Sequence, residues 1–364
     1  MVLGHDWLVG MRGGERVVEL LCAGFPRAPM YTLVHDPASV SAVINAHPIH
    51  TPPAARFIPM FASHYRYLLP VLPALVETLK VPEADLILST SHCVVKGIKP
   101  VGRTRHLCYC FTPMRYAWLF YSEYFGTSGL KKSVLTRILA RLRDWDRRTS
   151  DRVDRFVAIS QHVRARIRDF YGRDADVVYP PVNTSYWTPA HSPPGNYDLL
   201  VSALVPYKRV DLAVRAYQRT DRRLLVVGTG PQARELRRIA SSNVSFLGWR
   251  TDNEILGLYR GCRLLVFPGE EDFGIVPVEA QACGRPVVAY ARGGALETVR
   301  EGETGLFFKQ QTEEALVDAV EKCAAVDWDP NVIRINAERF SAERFISDLS
   351  ASISECLQTR QAER

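Results

Sequence analysis

The sequence predicts an α/β protein built from two doubly wound, parallel-sheet domains. Short apolar runs alternate with amphipathic helical patterns through both halves, which is typical of parallel sheets covered by helices on both faces. The 364 residues are enough for two domains of the usual size, roughly 150 residues each. Five prolines between 179 and 197 interrupt the alternation and indicate a linker between the domains.

The elements of each half can be placed in order. In the first half we predict strands within 1–7, 30–35, 85–91, 105–111 and 155–160, and helices over 13–25 and 64–79. In the second half we predict strands within 197–204, 222–228, 244–248, 262–268, 285–291 and 305–308, and helices near 208–218, 231–241 and 312–324. The predicted boundaries are an N-terminal domain over 1–182, a linker over 183–197, a C-terminal domain over 198–340, and a final helix over 341–364 that packs back toward the N-terminal domain.

Composition excludes several classes of protein. Apolar residues make up 47% and charged residues 23%, as in ordinary soluble globular proteins. No apolar run approaches the roughly 18 residues that cross a bilayer, and the first residues do not form a secretory signal. The eight cysteines include no C-x-x-C pair, so we expect free thiols in a cytoplasmic protein instead of disulfides or a zinc site.

The charge is unevenly distributed. Residues 1–182 carry 24 Lys and Arg against 15 Asp and Glu, a net charge of +9, whereas the remainder carries 22 against 24, a net charge of −2. A basic half favours an anionic partner, either a phosphorylated substrate or the inner face of an anionic membrane. No nucleic-acid-binding motif is present, so nucleic acid is not an expected partner. A solvated basic face with no partner is the alternative.

Two carboxylates flank the joint between a strand and a helix. Glu271 follows the apolar run 263–267, and Glu279 lies inside the next helical pattern. Gly274 allows backbone to approach a ligand, and the amides that open a helix bind phosphate. Glu279 is suited to bind the ribose diol, and Glu271 is suited to accept hydrogen bonds from a second sugar beyond the phosphates. This layout predicts a site for a nucleoside diphosphate sugar, and two solvated surface glutamates are the alternative.

The spacing of Glu271 and Glu279 resembles the E-x7-E motif of the retaining group 4 glycosyltransferases. Further segments resemble family motifs in the same order along the chain, namely GHDWLVGMRGGERVVE (4–19), VSALVPYKRVDLAV (201–214), VVGTGPQ (226–232) and GGALETVREGETGLFF (293–308). TPMRYAW (112–118) and YPPVNTSYW (179–187) are similar to GDP-mannose-dependent mannosyltransferases of O-antigen and capsule assembly. The resemblance implies the GT-B fold, in which two Rossmann-like parallel-sheet domains face a central cleft.

The resemblance also implies roles for individual residues. The catalytic residues would be Glu271 and Lys208. The donor diphosphate would be bound by Gly13, Gly14, Lys208, Arg209, Gly274, Ile275 and Val276. The donor sugar would contact Glu271, Phe273, Gly274 and Phe111. The ribose would contact Glu279, and the base would contact Trp249 and Arg250. A GDP-sugar and a glycan or lipid-linked acceptor are the implied substrates, with no metal or other cofactor required.

Two other motifs match the patterns of other protein classes but lack the expected context. GTGPQA (228–233) fits a dinucleotide-binding pattern, but it follows the second strand of its domain, and Pro231 lacks a backbone donor. Asp144 and Asp146 match a D-x-D metal motif, but on a helix side chains two residues apart point in different directions.

Two departures from the family pattern leave the donor and the activity open. Ala203 replaces a common arginine, and Phe111 replaces a histidine that in relatives reaches the 6-hydroxyl of the donor sugar. The alternatives are therefore a 6-deoxy donor such as GDP-rhamnose, or a catalytically weak protein that binds nucleotide sugars.

Overall fold

The chain forms two compact units. The computed structural model describes residues 1–54, 68–118, 130–190 and 193–362. For residues 130–135 and 359–362 it describes the backbone only. The first unit contains Met1–Val178 and Ser347–Arg364, and the second contains Tyr179–Ile346. The proline-rich stretch predicted as a linker is therefore part of the second unit.

The first unit is built on a parallel sheet in the order β3-β2-β1-β4-β5-β6-β7. Its strands are β1 (Val2–His5), β2 (Met30–Thr32), β3 (Ile49–His50), β4 (Leu86–Ser91), β5 (Arg105–Cys110), β6 (Arg155–Ala158) and β7 (Asp176–Val177). The five strands predicted from apolar runs are confirmed. The sequence did not predict β3 and β7, because two residues are too few to show a pattern.

The helices of the first unit are α1 (Gly13–Gly24), α2 (Ala42–Asn45), α3 (Leu72–Val76), α4 (Arg115–Trp118), α5 (Leu130–Thr149) and α6 (Gln161–Tyr171). The helix predicted over 64–79 is present but shorter in its described part, where α3 has five residues. Pro73 lacks an amide hydrogen and suits only the start of a helix, so the helix begins beside it. Residues 64–67 of that prediction lie outside the described part of the chain.

Helix α5 contains the D-x-D pair, and its two carboxylates have different surroundings. Asp144 is exposed, whereas Asp146 is buried and lies 3.0 Å from the Nζ atom of buried Lys96. Trp118 and Tyr171 both donate hydrogen bonds to the second oxygen of Asp146, at 2.8 Å. The buried pair therefore joins α4, α5 and α6 to the loop after β4, which is a structural role.

The second unit is built on a parallel sheet in the order β10-β9-β8-β11-β12-β13. Its strands are β8 (Asp198–Val201), β9 (Leu224–Val227), β10 (Val244–Gly248), β11 (Leu265–Phe267), β12 (Val287–Tyr290) and β13 (Gly305–Phe308). Its helices are α7 (Val210–Tyr217), α8 (Ala233–Ile239), α9 (Asp252–Gly261), α10 (Ile275–Ala282), α11 (Ala295–Thr298), α12 (Glu313–Ala324) and α13 (Pro330–Glu338), followed by α14 (Ala342–Ala362), which continues into the first unit. All six predicted strands are confirmed.

The strand order of both sheets reverses at one point. Because β8 lies beside β11 and β1 lies beside β4, consecutive strands extend each sheet in one direction and then in the other. Ligands of doubly wound sheets bind outside the carboxyl ends of the strands at this switch point. The loops that follow these four strands are therefore where a site is expected.

All eight cysteines are free and buried. Within the described ranges, no helix is both long enough and apolar enough to span a bilayer. The same residues include no cluster of three His, Cys, Asp or Glu side chains placed to hold a metal ion.

Candidate functional site

The switch point of the second sheet brings two predicted catalytic residues together. Lys208 lies in the loop after β8, and Glu271 lies in the loop after the adjacent strand β11. Their side chains form a direct ion pair, and both remain partly accessible, at 17% and 22% of their side-chain surface. A cation and a carboxylate that can both reach a ligand are thus held side by side.

Close packing of glycines holds the loop that contains Lys208. A Cβ atom at Gly228 would lie 1.9 Å from the Ser202 carbonyl oxygen, and one at Gly230 would lie 2.4 Å from that of Leu204. The glycines of GTGPQA are thus needed where the β9 loop contacts the β8 loop. This motif follows β9, one strand from the switch point, and its glycines pack against the β8 loop.

Gly294, in the loop after β12, supports the loop of Glu271. The amide of Gly294 donates a hydrogen bond of 2.8 Å to the Glu271 carbonyl oxygen. A Cβ atom at Gly294 would lie 2.3 Å from the Cα atom of Phe273, so the loop after β12 can approach only because this residue lacks a side chain. The backbone around Glu271 is thereby fixed from a neighbouring strand.

Helix α10 begins directly after the Glu271 loop. Gly274, at φ +93°, adopts a conformation that side chains rarely allow, and it turns the chain so that Ile275 and Val276 open the helix. Phe273 is 3% exposed and packs against Tyr179 and Phe340, so only its backbone can contribute to a sugar site. The first amides of α10 are the groups available for an anion.

Glu279 lies in the second turn of α10, inside the helix that the sequence pattern predicts. The buried hydroxyl of Tyr259 on α9 donates a hydrogen bond of 2.9 Å to its Oε2 atom. Burial raises the pKa of Tyr259 well above its usual value, so this hydroxyl stays neutral and remains a donor. The sequence did not indicate Tyr259, because nothing in a local pattern links residues twenty positions apart on different helices.

Arg209 has an unusual backbone. Its φ of +52° makes it the one residue other than glycine with positive φ in the described part of the chain. Its guanidinium donates hydrogen bonds to Asp211 at 3.3 Å and to Gln311 at 3.0 Å. Left-handed backbone costs about 1–2 kcal/mol for a residue with a side chain, and such strain is found mainly at functional positions.

The two residues predicted to bind the base lie at the far edge of the second sheet. Trp249 and Arg250 follow β10, which β9 separates from β8. Trp249 is 69% exposed, and Arg250 bonds to the Trp249 carbonyl oxygen and pairs with Glu254. Trp249 and Arg250 therefore lie at a different edge of the sheet from the Lys208–Glu271 ion pair.

The first unit brings its own predicted residues together at the edge of its sheet where β1, β4 and β5 end. A Cβ atom at Gly14, in the first turn of α1, would lie 3.6 Å from the ring of Phe111, which follows β5. The His5 ring, at the end of β1, lies edge-on to that of Phe111. Gly13, Gly14 and Phe111 therefore share one edge of the sheet.

Two buried groups beside this edge were not predicted. Burial lowers the pKa of His5 to about 4, so the ring is neutral, and its Nδ1 atom lies 2.7 Å from the Thr90 hydroxyl. Asp6 accepts four backbone hydrogen bonds from residues 92–95, which fixes the loop after β4 against the loop after β1. In the sequence, His5 and Asp6 stand at the end of a predicted strand and within the motif-like segment 4–19.

Comparisons with known proteins agree with this architecture. Residues 11–186 match the family described as Glycosyltransferase Family 4, and residues 189–339 match Glycosyl transferases group 1. An uncharacterised glycosyltransferase from Methanocaldococcus jannaschii is 28% identical over 172 residues, which cover 46% of this chain and 48% of that protein. A D-inositol 3-phosphate glycosyltransferase from Mycobacteroides abscessus is 32% identical over 195 residues, 47% of this chain and 42% of that protein. The matches thus span about half the length of these curated relatives.

Solved structures share the fold over nearly the whole chain. Sucrose-phosphate synthase from Thermosynechococcus elongatus superposes with a TM-score of 0.71, 19% identity and complete coverage of both chains. The Anabaena protein HepE, solved in complex with UDP, superposes with a TM-score of 0.69 and 18% identity, covering 98% of this chain and 100% of that one. Two parallel-sheet units and these structural neighbours show the GT-B fold, and the two glycosyltransferase family models together match most of the chain.

Proposed function

We propose that this protein is a retaining glycosyltransferase that moves a hexosyl group, mannose, from a GDP-sugar to a glycan or lipid-linked acceptor in polysaccharide assembly. The observation that carries the proposal is the Lys208–Glu271 ion pair at the switch point. Glu271 lies four residues before Ile275, the first residue of α10. Neighbours solved with UDP and with UDP-glucose support a nucleotide-sugar donor. The choice of GDP-mannose rests on the resemblance of 112–118 and 179–187 to mannosyltransferases.

The proposed chemistry follows from the charge that develops during transfer. When the bond between the anomeric carbon and the diphosphate breaks, negative charge accumulates on the leaving group. In the proposed reaction, Lys208, Arg209 and the first amides of α10 stabilise that charge, and Glu271 accepts hydrogen bonds from hydroxyls of the donor sugar. Because the chain supplies its own cations for the diphosphate, we propose a reaction that needs no metal ion.

Glu279 is proposed to bind the ribose, with Tyr259 holding its carboxylate. We expect Glu279→Ala to weaken GDP binding by about 1–3 kcal/mol, because a charge-assisted, bidentate contact is lost. Tyr259→Phe should cost less, about 0.5–1.5 kcal/mol, because the carboxylate remains but is no longer held. Calorimetric titration with GDP measures both effects.

Tyr197→Phe is the matched control for this experiment. Its hydroxyl donates its hydrogen to the Leu258 carbonyl oxygen on the same helix, α9, and not to a carboxylate. We expect this variant to bind GDP like the wild type. If Glu279→Ala also bound GDP like the wild type, the ribose assignment would be wrong.

Phe111 decides between mannose and a 6-deoxy donor. A hydroxyl buried against its ring without a partner costs about 1–3 kcal/mol, whereas a methyl group there gains roughly 0.8 kcal/mol. If Phe111 contacts C6 of the donor sugar, GDP-rhamnose should be turned over faster than GDP-mannose, and Phe111→His should reverse this order. If GDP-mannose is preferred and Phe111→His leaves or improves that preference, the 6-deoxy alternative is excluded. Hydrolysis and transfer assays with both donors measure this, and no turnover of either would favour a binding protein.

We also propose that the basic first unit contacts an anionic membrane surface, where a lipid-linked acceptor would be reached from the cytoplasm. On α5 the apolar side chains Leu139 and Leu142 are buried, whereas Arg137, Arg141, Arg147 and Arg148 are exposed. Residues 131–155 contain nine Lys and Arg against four Asp, and the side chains of Lys131 and Lys132 lie outside the described set. Each arginine near an anionic surface contributes about 1 kcal/mol, and salt screens this attraction.

Liposome flotation tests the membrane proposal. We expect the protein to float with anionic liposomes at low salt and to be released at high salt. Arg137→Glu/Arg141→Glu should weaken flotation, and the control Arg234→Glu/Arg238→Glu, with the same charge change on exposed positions of α8, should not. No flotation at low salt would favour a soluble acceptor.

A further inference from the structure

Gln311 lies between the two loops that meet at the switch point of the second sheet. It follows β13 and precedes α12. Its Oε1 atom accepts a hydrogen bond of 3.0 Å from Nη1 of Arg209, and its Nε2 atom donates one of 2.9 Å to the Pro268 carbonyl oxygen. Both ends of the amide are used, so the orientation of the side chain is determined by its partners.

The residue that Gln311 holds is the strained one. Arg209 adopts left-handed backbone immediately after Lys208, at the N-cap of α7. Asp211 contacts the guanidinium through Nε and Gln311 contacts it through Nη1, so two separate atoms of one planar group are restrained. A guanidinium held in this way loses little conformational freedom when it binds an anion.

The second contact of Gln311 is with the start of the Glu271 loop. Pro268 directly follows β11 and has no amide hydrogen, so its carbonyl is its one backbone hydrogen-bonding group. By accepting from the amide of Gln311, it ties the loop of Glu271 to the guanidinium of Arg209 through one side chain. A change at Gln311 therefore reaches both loops.

We infer that Gln311 is a positioning residue for the donor diphosphate and acts through Arg209. This inference rests on the proposed function, in which Arg209 binds the diphosphate. Ala203 has no charge to offer the diphosphate, so Arg209 is the second cation of this loop beside Lys208. Gln311 gives the Arg209 guanidinium a second hydrogen-bond partner besides Asp211 and connects it to the loop that contains Glu271.

The test measures binding of GDP, UDP and GMP to the full chain by calorimetry at 10 °C. We expect Gln311→Met to weaken binding of the nucleoside diphosphate by about three- to tenfold, as for one lost hydrogen bond, and to leave GMP binding unchanged. In an Arg209→Met background, Gln311→Met should add less than about twofold, because the two residues act as one unit. Gln310→Met, an exposed neighbour whose side chain is outside this network, is the control and should bind like the wild type.

Each result has a separate meaning. Equal losses for GDP and GMP, additive losses in the double variant, or a Gln311→Met variant that matches Gln310→Met would overturn the positioning role alone. If the wild type bound neither GDP nor UDP, the proposed function would be wrong and the role of Gln311 would fall with it. Thermal unfolding of each variant confirms that binding is measured on folded protein.

Discussion

Glu271→Gln is expected to reduce turnover by about 10² or more and to change the KM for the donor sugar nucleotide little. The carboxylate accepts from sugar hydroxyls most strongly when positive charge develops on the sugar ring, so its charge contributes mainly in the transition state. The amide keeps the shape of the side chain but removes the charge that faces Lys208. Steady-state kinetics with the preferred donor measure kcat and KM separately.

Two variants define what this loss means. Glu321→Gln removes an exposed carboxylate on α12 and should leave kcat unchanged. Glu279→Ala should raise KM more than it lowers kcat, because it acts on the nucleotide and not on the reacting sugar. Equal and mild losses in Glu271→Gln and Glu279→Ala would contradict the separate roles assigned to these two carboxylates.

Lys96→Met is expected to lower the free energy of unfolding of the first unit by about 3–5 kcal/mol, because it leaves the buried Asp146 carboxylate without its cation. The ammonium of Lys96 also donates to the Asp146 carbonyl at 2.6 Å and to the Thr149 hydroxyl at 3.0 Å. Methionine is similar in length but can make none of these contacts. Urea denaturation, followed by circular dichroism and by hydrogen exchange of β4 and β5, measures the loss.

Lys99→Met is the matched control, three residues along the chain. Lys99 is 54% exposed and pairs with Glu77 at 3.1 Å, and exposed pairs contribute only about 0–1 kcal/mol. If both variants lost the same small amount, the buried pair would not stabilise the first unit as we expect. Nucleotide binding should be similar in both variants, since neither residue is among those proposed to contact the donor.

The fold could be predicted because its signal is local and repeated. The strands around Leu88 and Val226 are buried on both faces, so each appears as an apolar run bounded by polar or turn residues. The two strands that were missed, β3 and β7, have two residues each and therefore no run to detect. The short α3 was overestimated for a related reason, since its apolar spacing continues past the prolines that limit the helix.

The spacing of Glu271 and Glu279, the glycine loops, and Lys208 with Arg209 can be read from the linear sequence by itself. These features were enough to indicate a nucleotide-sugar site. Only the tertiary structure decided which partners hold them. Tyr259 meets Glu279, and Gln311 meets Arg209, across helices and loops that are far apart in the chain, so no local pattern could connect them. The same holds for Asp146, which the sequence presents as half of a metal motif and the fold buries against Lys96. Local periodicity encodes which strands and helices form, whereas the contacts of a side chain depend on which of them the sheet order places side by side.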